Sequence, residues 1–274
     1  MSVTGTGDPA PTGAASGSAA SGRAAAGEAG RGDGADWDIL ADRADSRRFP
    51  RIPSEDEVAP DERADWSAFQ QRLEKIRRDH HAVQYRHRIA GGFFGLMASP
   101  PLANVLSFAG RKITEQQGKP GSFTARQHEL IDMVISFDSG HWGLLANHLP
   151  FAVASGIDMD TIRAIRDGRE DELPADDRDA IAFIRATVDG TMTDELWAAM
   201  VRQIGSDRGA VELVFQTLLL LFHLRLNQVF DEVQILPDEL TDLMRQLEAG
   251  QYPLPRVAHA GPPETRPVPA HPRP

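Results

Sequence analysis

Three residues in the middle of the chain have the types and spacing to move protons. Glu129 is followed twelve positions later by His141 and seven further on by His148. A histidine gives or takes a proton near neutral pH, and a neighbouring carboxylate favours the imidazolium and fixes the ring. His148 is therefore the candidate general acid/base, Glu129 its orienting partner and His141 a second polar group of the pocket. Each also has a structural alternative. His148 could be a hydrogen-bonded core histidine and Glu129 a first-turn acid near a helix dipole. His141 could cap a helix start, with Trp142 packed beside it.

His141 and His148 are two helical turns apart and can share a face, but about 10 Å of rise separates them. That is too far for ligands of one metal ion without a bend. No metal or cofactor is expected on the main reading. Gly143 and Pro150 could loosen the helix, and Asp138 or Glu129 could add oxygen ligands. A histidine-ligated metal oxidase or oxygenase therefore stands as a further alternative.

The elements that must position these residues are all helical. Thr124-Ala125-Arg126-Gln127 has the spacing of a capping box and opens a helix carrying Leu130, Met133, Val134 and Phe137. Ser139-Gly140 breaks it, and a second helix runs from His141 to about Ser155. Asp158 caps a short helix ending at Gly168. Upstream, Trp66, Phe69, Leu73 and Ile76 mark a helix from Asp61 to about Ile89, broken by Gly91-Gly92. Pro101 opens another that ends near Gly118. Downstream helices are expected at 176–188, 194–204, 206–230 and 237–248. No persuasive alternating strand pattern occurs, so the fold class is all-α, with short loops favouring antiparallel neighbours.

Composition narrows the function classes. The 29 basic and 40 acidic residues give a formal net charge of −11 and a pI near 5.3. That argues against nonspecific nucleic-acid binding, which neutralises phosphates. Arg72, Lys75, Arg77, Arg78, Arg86 and Arg88, interleaved with His80, His81 and His87, form a local basic run. It reads as a solvated helix face or an attraction point for an acidic ligand. The absence of cysteine excludes disulfides, thiol nucleophiles and thiolate-ligated metals. Residues 1–47 form a Gly/Ala/Ser-rich segment and linker, and residues 258–274 a Pro/His-rich tail. Both have too little apolar surface to offset chain entropy. Residues 48–257, roughly 210 in all, suit one helical domain. The apolar run at 213–226 is interrupted by Gln216, His223 and Arg225, so no membrane span is expected. With no secretory signal visible, a cytoplasmic protein is the expectation.

Several motifs recur in one order. Arg51-Ile52-Pro53 leads in, Phe123-Thr124-Ala125-Arg126-Gln127-His128-Glu129-Leu130 opens the central helix, and His148-Leu149-Pro150-Phe151-Ala152 precedes Ala154-Ser155-Gly156-Ile157. Ala164-Ile165-Arg166-Asp167-Gly168 follows. This series, over about residues 48–250, resembles the carboxymuconolactone decarboxylase and alkylhydroperoxidase D superfamily. The resemblance implies an all-α helical bundle of the alkylhydroperoxidase D-like type, assembled into trimers or hexamers. It places His148 on a helix wall facing a pocket, with Glu129 crossing from the preceding helix.

The redox branch of that superfamily carries a Glu, then Cys-x-x-Cys, then x-x-x-His. Here the two cysteine positions are His141 and Leu144, which removes thiol peroxidase chemistry. The decarboxylase branch's Glu-Trp-x-x-His run is Leu144-Leu145-Ala146-Asn147-His148 here, so the wall is more apolar. Leu144, Leu145 and Phe137 are expected to line it, and Arg225 could grip a substrate carboxylate or simply end an exposed helix. The function implied is cofactor-independent proton transfer or decarboxylation on a small organic acid, lactone or ring compound. The alternative is a non-catalytic binding or assembly protein on the same scaffold.

Overall fold

A computed structural model of the protein describes Arg48 and residues 52–79, 95–231 and 237–257, with 74–79 described as backbone only. The segments at 1–47 and 258–274, the Gly91-Gly92 break and most of the basic run lie outside the described residues. Nine α-helices occur among the described residues: α1 Arg63–Asp79, α2 Pro100–Thr114, α3 Ala125–Ser139, α4 Trp142–Ala154, α5 Met159–Asp167, α6 Ala175–Asp189, α7 Asp194–Ile204, α8 Asp207–Val229 and α9 Pro237–Glu248. No strand occurs among the described residues. The all-α class expected from the sequence is what the chain forms.

Local chemistry sets most boundaries. Thr124 Oγ1 accepts from the Gln127 amide at 3.2 Å, and Gln127 Oε1 accepts from the Thr124 amide at 2.9 Å, closing the capping box of α3. The helix ends where Gly140 turns left-handed at φ 65°. Asp158 caps α5 through a 2.7 Å bond from the Thr161 amide, and Ser206 caps α8 through the Gly209 amide at 3.0 Å. Helix α2 starts at Pro100 rather than Pro101 and stops at Thr114, with turns continuing toward Gly118.

Helix α3 is the centre of the bundle and packs against α4, α5, α6 and α8. Ten of its fifteen residues are buried, among them Leu130, Ile131, Met133 and Val134. Four of the ten are polar: Gln127, Glu129, Asp132 and Ser136. A helix enclosed nearly all round normally carries apolar side chains, so this buried polar set needs partners. Arg126, on the same helix, forms a bidentate pair with Asp177 of α6 at 2.5 and 2.9 Å. That pair helps fix the rotation of α3 against its neighbour.

A second, smaller apolar cluster joins Phe69 and Leu73 of α1 with Leu96, Met97, Ala103 and Leu106, under Leu219 and Leu226 of α8. Helix α8 is long and apolar enough to cross a membrane by length and composition. It packs on α2, α3, α6 and α7, and its buried side carries Leu213, Gln216, Thr217, Leu220, Leu224 and Asn227.

Candidate functional site

The buried polar residues of α3 converge with one side chain of α4. His128, Glu129 and Asp132 occupy the first half of α3, with His128 and Asp132 one turn apart on one face. His148 reaches them from α4. Its Nδ1 lies 2.9 Å from Asp132 Oδ2 and 3.1 Å from Glu129 Oε2. His128 Nε2 lies 3.4 Å from the same Asp132 oxygen and 3.5 Å from Gln216 Nε2 of α8. Phe123 stacks on the His128 ring at 6.2 Å, and Phe151 flanks His148 at 6.1 Å.

The two carboxylates are withdrawn from water, Asp132 almost completely at 1% exposure. His148 keeps 24% of its side chain accessible. Burial works against an imidazolium at His148, but the charges of Asp132 and then Glu129 outweigh it and raise the ring well above its ordinary 6.5. Burial likewise opposes ionising Asp132, yet the neighbouring His148 and His128 hold its carboxyl below the ordinary range. The arrangement is a histidine whose Nδ1 must donate, because both groups facing it are carboxylates and accept. Its Nε2 is left for other work.

The remaining predicted residues sit elsewhere. His141 is the N-cap of α4: its Nδ1 accepts from the Leu144 amide at 3.2 Å, and the residue is 2% exposed. This is the capping role that its position before Trp142 offered as an alternative. Leu144 and Leu145 are packed in the main core, and Phe137 is half-buried in an edge contact with Trp142 at 6.5 Å. Arg225 lies on the exposed side of α8 and donates to Gln228 Oε1 at 2.8 Å. The structure thus brings Glu129 and His148 together and gives His141 and Arg225 other partners.

Asp132 and His128 join the site from outside the acid/base set that the spacing of Glu129, His141 and His148 suggests. A signal for them exists: His128-Glu129-Leu130-Ile131-Asp132 has an imidazole and a carboxylate at i and i+4 with a second acid between. That is the spacing of the His-Glu-x-x-His helix with an aspartate in the last place.

Compared with known proteins, the chain matches no family model, and no curated protein or solved structure matches it.

Proposed function

We propose that the chain is a proton-transfer enzyme of the carboxymuconolactone decarboxylase-like type, acting on a small organic acid, lactone or ring compound. The observation that carries this reading is the placement of His148 Nδ1 against Glu129 and Asp132, with part of the side chain still open to solvent. A carboxylate pair on one nitrogen orients the ring and stabilises its cationic form, so the other nitrogen can deliver a proton. In a decarboxylation, the bond between carbon and the carboxylate breaks and CO₂ leaves. The electron pair remains on the carbon, spread into an adjacent carbonyl as an enolate. His148 Nε2 then gives its proton to that carbon and is reprotonated from water. A cation at His148 stabilises the enolate as it forms.

The motif series from Arg51 to Gly168 and the all-α bundle support the alkylhydroperoxidase D-like scaffold. The experiment is a CO₂-release and lactone-conversion assay over a panel of small carboxylic acids and lactones. His148→Gln is expected to abolish turnover, and retained turnover would overturn the assignment.

A second reading, a binding or assembly protein on the same scaffold, is favoured by one observation. Val211, Phe215, Leu218, Phe222 and Val229 of α8 are all exposed, as are Leu102, Val105 and Phe108 of α2. Steps of four, three, four and seven along α8 make a single stripe of the kind that packs against another helix. Both readings share a cytoplasmic homo-oligomer, trimeric or hexameric in keeping with the resemblance.

A further inference from the structure

The cluster around Asp132 has more ligand-type atoms than one histidine needs. Two carboxylates and an imidazole of one helix face the same buried spot, beside the ring of His148 from the next helix. His128, Glu129 and Asp132 each offer one ligand atom, and these three atoms lie within 4.8 Å of one another.

Donors bound about 2.1 Å from one ion stand about 3.0 to 3.4 Å apart when adjacent and about 4.2 Å when opposite. The 3.4 Å between His128 Nε2 and Asp132 Oδ2 is an adjacent-ligand spacing. All three residues lie on α3, which is enclosed by four other helices, so their backbone positions are fixed in advance. Polar demand in this interior is also unmet. Asp132, 1% exposed, has ion-pair neighbours at its Oδ2 but no aligned hydrogen bond there. The His128 Nδ1 is buried without a hydrogen-bond partner as well. Buried polar groups normally have partners, so such a concentration marks a place where a ligand is expected.

We propose that His128, Glu129 and Asp132 hold one divalent transition-metal ion, with His148 donating from Nδ1 to the ligating Glu129 and lying beside Asp132. One imidazole and two carboxylates suit zinc, manganese or iron(II) in a set without thiolates. Hydrogen bonds onto ligating carboxylates are the usual outer support of such a site. The role of the ion rests on the proton-transfer reading, although its binding does not. A 2+ ion would add positive charge beside His148, which suits an acidic substrate.

The test uses the full-length, tag-free chain, stripped with EDTA and dialysed. It is titrated with Zn²⁺ by calorimetry and with Co²⁺ by visible absorption. One ion per chain is expected, with a Co²⁺ ligand-field band. His128→Gln and Asp132→Asn, checked for fold by circular dichroism, should weaken binding about 10-fold or more. His148→Gln should keep the stoichiometry. As a second measurement, Zn²⁺ should raise the Tm of the native chain and leave that of His128→Gln unmoved. No binding by the native chain, or equal affinity in the native chain and both ligand variants, would overturn the site. The two readings fail separately. Turnover retained by a zinc-binding His148→Gln protein removes the proton-transfer reading and leaves the metal site. Turnover lost in His148→Gln while the native chain binds no metal does the reverse.

Discussion

Asp132 Oδ2 stands closer to His148 Nδ1, at 2.9 Å, than Glu129 Oε2 does at 3.1 Å, and it is the more deeply buried of the two acids. Glu129 takes the hydrogen bond from the ring, and Asp132 supplies the nearer, more deeply buried charge. In EDTA-treated protein, Asp132→Asn is expected to lower kcat about 10- to 100-fold while leaving KM within a few-fold. The change acts on ring orientation and charge rather than on substrate contact. Glu129→Gln should give a loss of the same kind. Steady-state kinetics on whichever acid or lactone is turned over checks both. A change confined to KM would assign these acids to substrate binding instead.

Much of this site was legible in the sequence because it depends on local rules. The Thr124 capping box, the Gly140 stop and the spacing from Glu129 to His148 fix where α3 ends and which turn of α4 faces it. Asp132 was harder to see, since an acid amid Leu130, Ile131, Met133 and Val134 reads as an interruption of an apolar run. Its meaning depends on His148 arriving from another helix. His141 and Arg225 have chemically versatile side chains, and each takes the structural alternative its position offers: one caps a backbone amide and the other donates to a neighbour on its own exposed helix face. Leu144 and Leu145 follow α4 into the core, because apolar side chains are drawn to burial wherever the helix rotation allows it.

The Asp158 cap gives a pH-dependent contribution to stability. The hydrogen bond from the Thr161 amide, ahead of the opposing effect of partial burial, holds the Asp158 carboxyl below its ordinary 3.8. A group whose folded value is depressed stabilises the fold above its unfolded value and loses that contribution as pH falls through the folded one. Asp158→Ala should therefore cost about 1 kcal/mol at pH 7. The difference from the native chain should shrink once the pH drops below about 3.8. Urea unfolding at pH 7 and near pH 3 measures it, and an equal difference at both would show that the charge is not what matters.

Gly209 sits where α8 begins against the loop before α3. A Cβ added there would collide with Ile204 Cγ2 and lie 3.0 Å from the Gly121 carbonyl oxygen. That carbonyl is itself held by the Ser206 hydroxyl at 2.5 Å, so it cannot move aside without breaking the cap of α8. Alanine's better helix propensity, worth up to about 1 kcal/mol, opposes this strain. The overpacking is expected to prevail, with Gly209→Ala losing about 1 to 3 kcal/mol in chemical denaturation. A neutral or stabilising result would mean that the loop yields freely. Gln216, two turns along α8 and beside His128, would then be less firmly placed than the packing implies.

The exposed stripe on α8 leads to a prediction about assembly. Phe215 is 48% exposed and Phe222 53%, seven residues apart and aligned with Val211, Leu218 and Val229. A monomer leaving five such residues on one line, beside Leu102, Val105 and Phe108, would present a large contiguous apolar surface to water. Arg225 falls on the same line between Phe222 and Val229, and it tunes the pairing of such a seam without supplying its burial. A second copy of the helix would cover the stripe with matching spacing, so the native chain is expected to run as an oligomer by light scattering after gel filtration. Phe215→Glu with Phe222→Glu should shift it to the monomer with far-UV helicity retained, because the two residues contribute little to the core of their own chain. An unchanged mass in the double variant would show that copies meet elsewhere. A native chain already monomeric at high concentration would leave the stripe for a different partner.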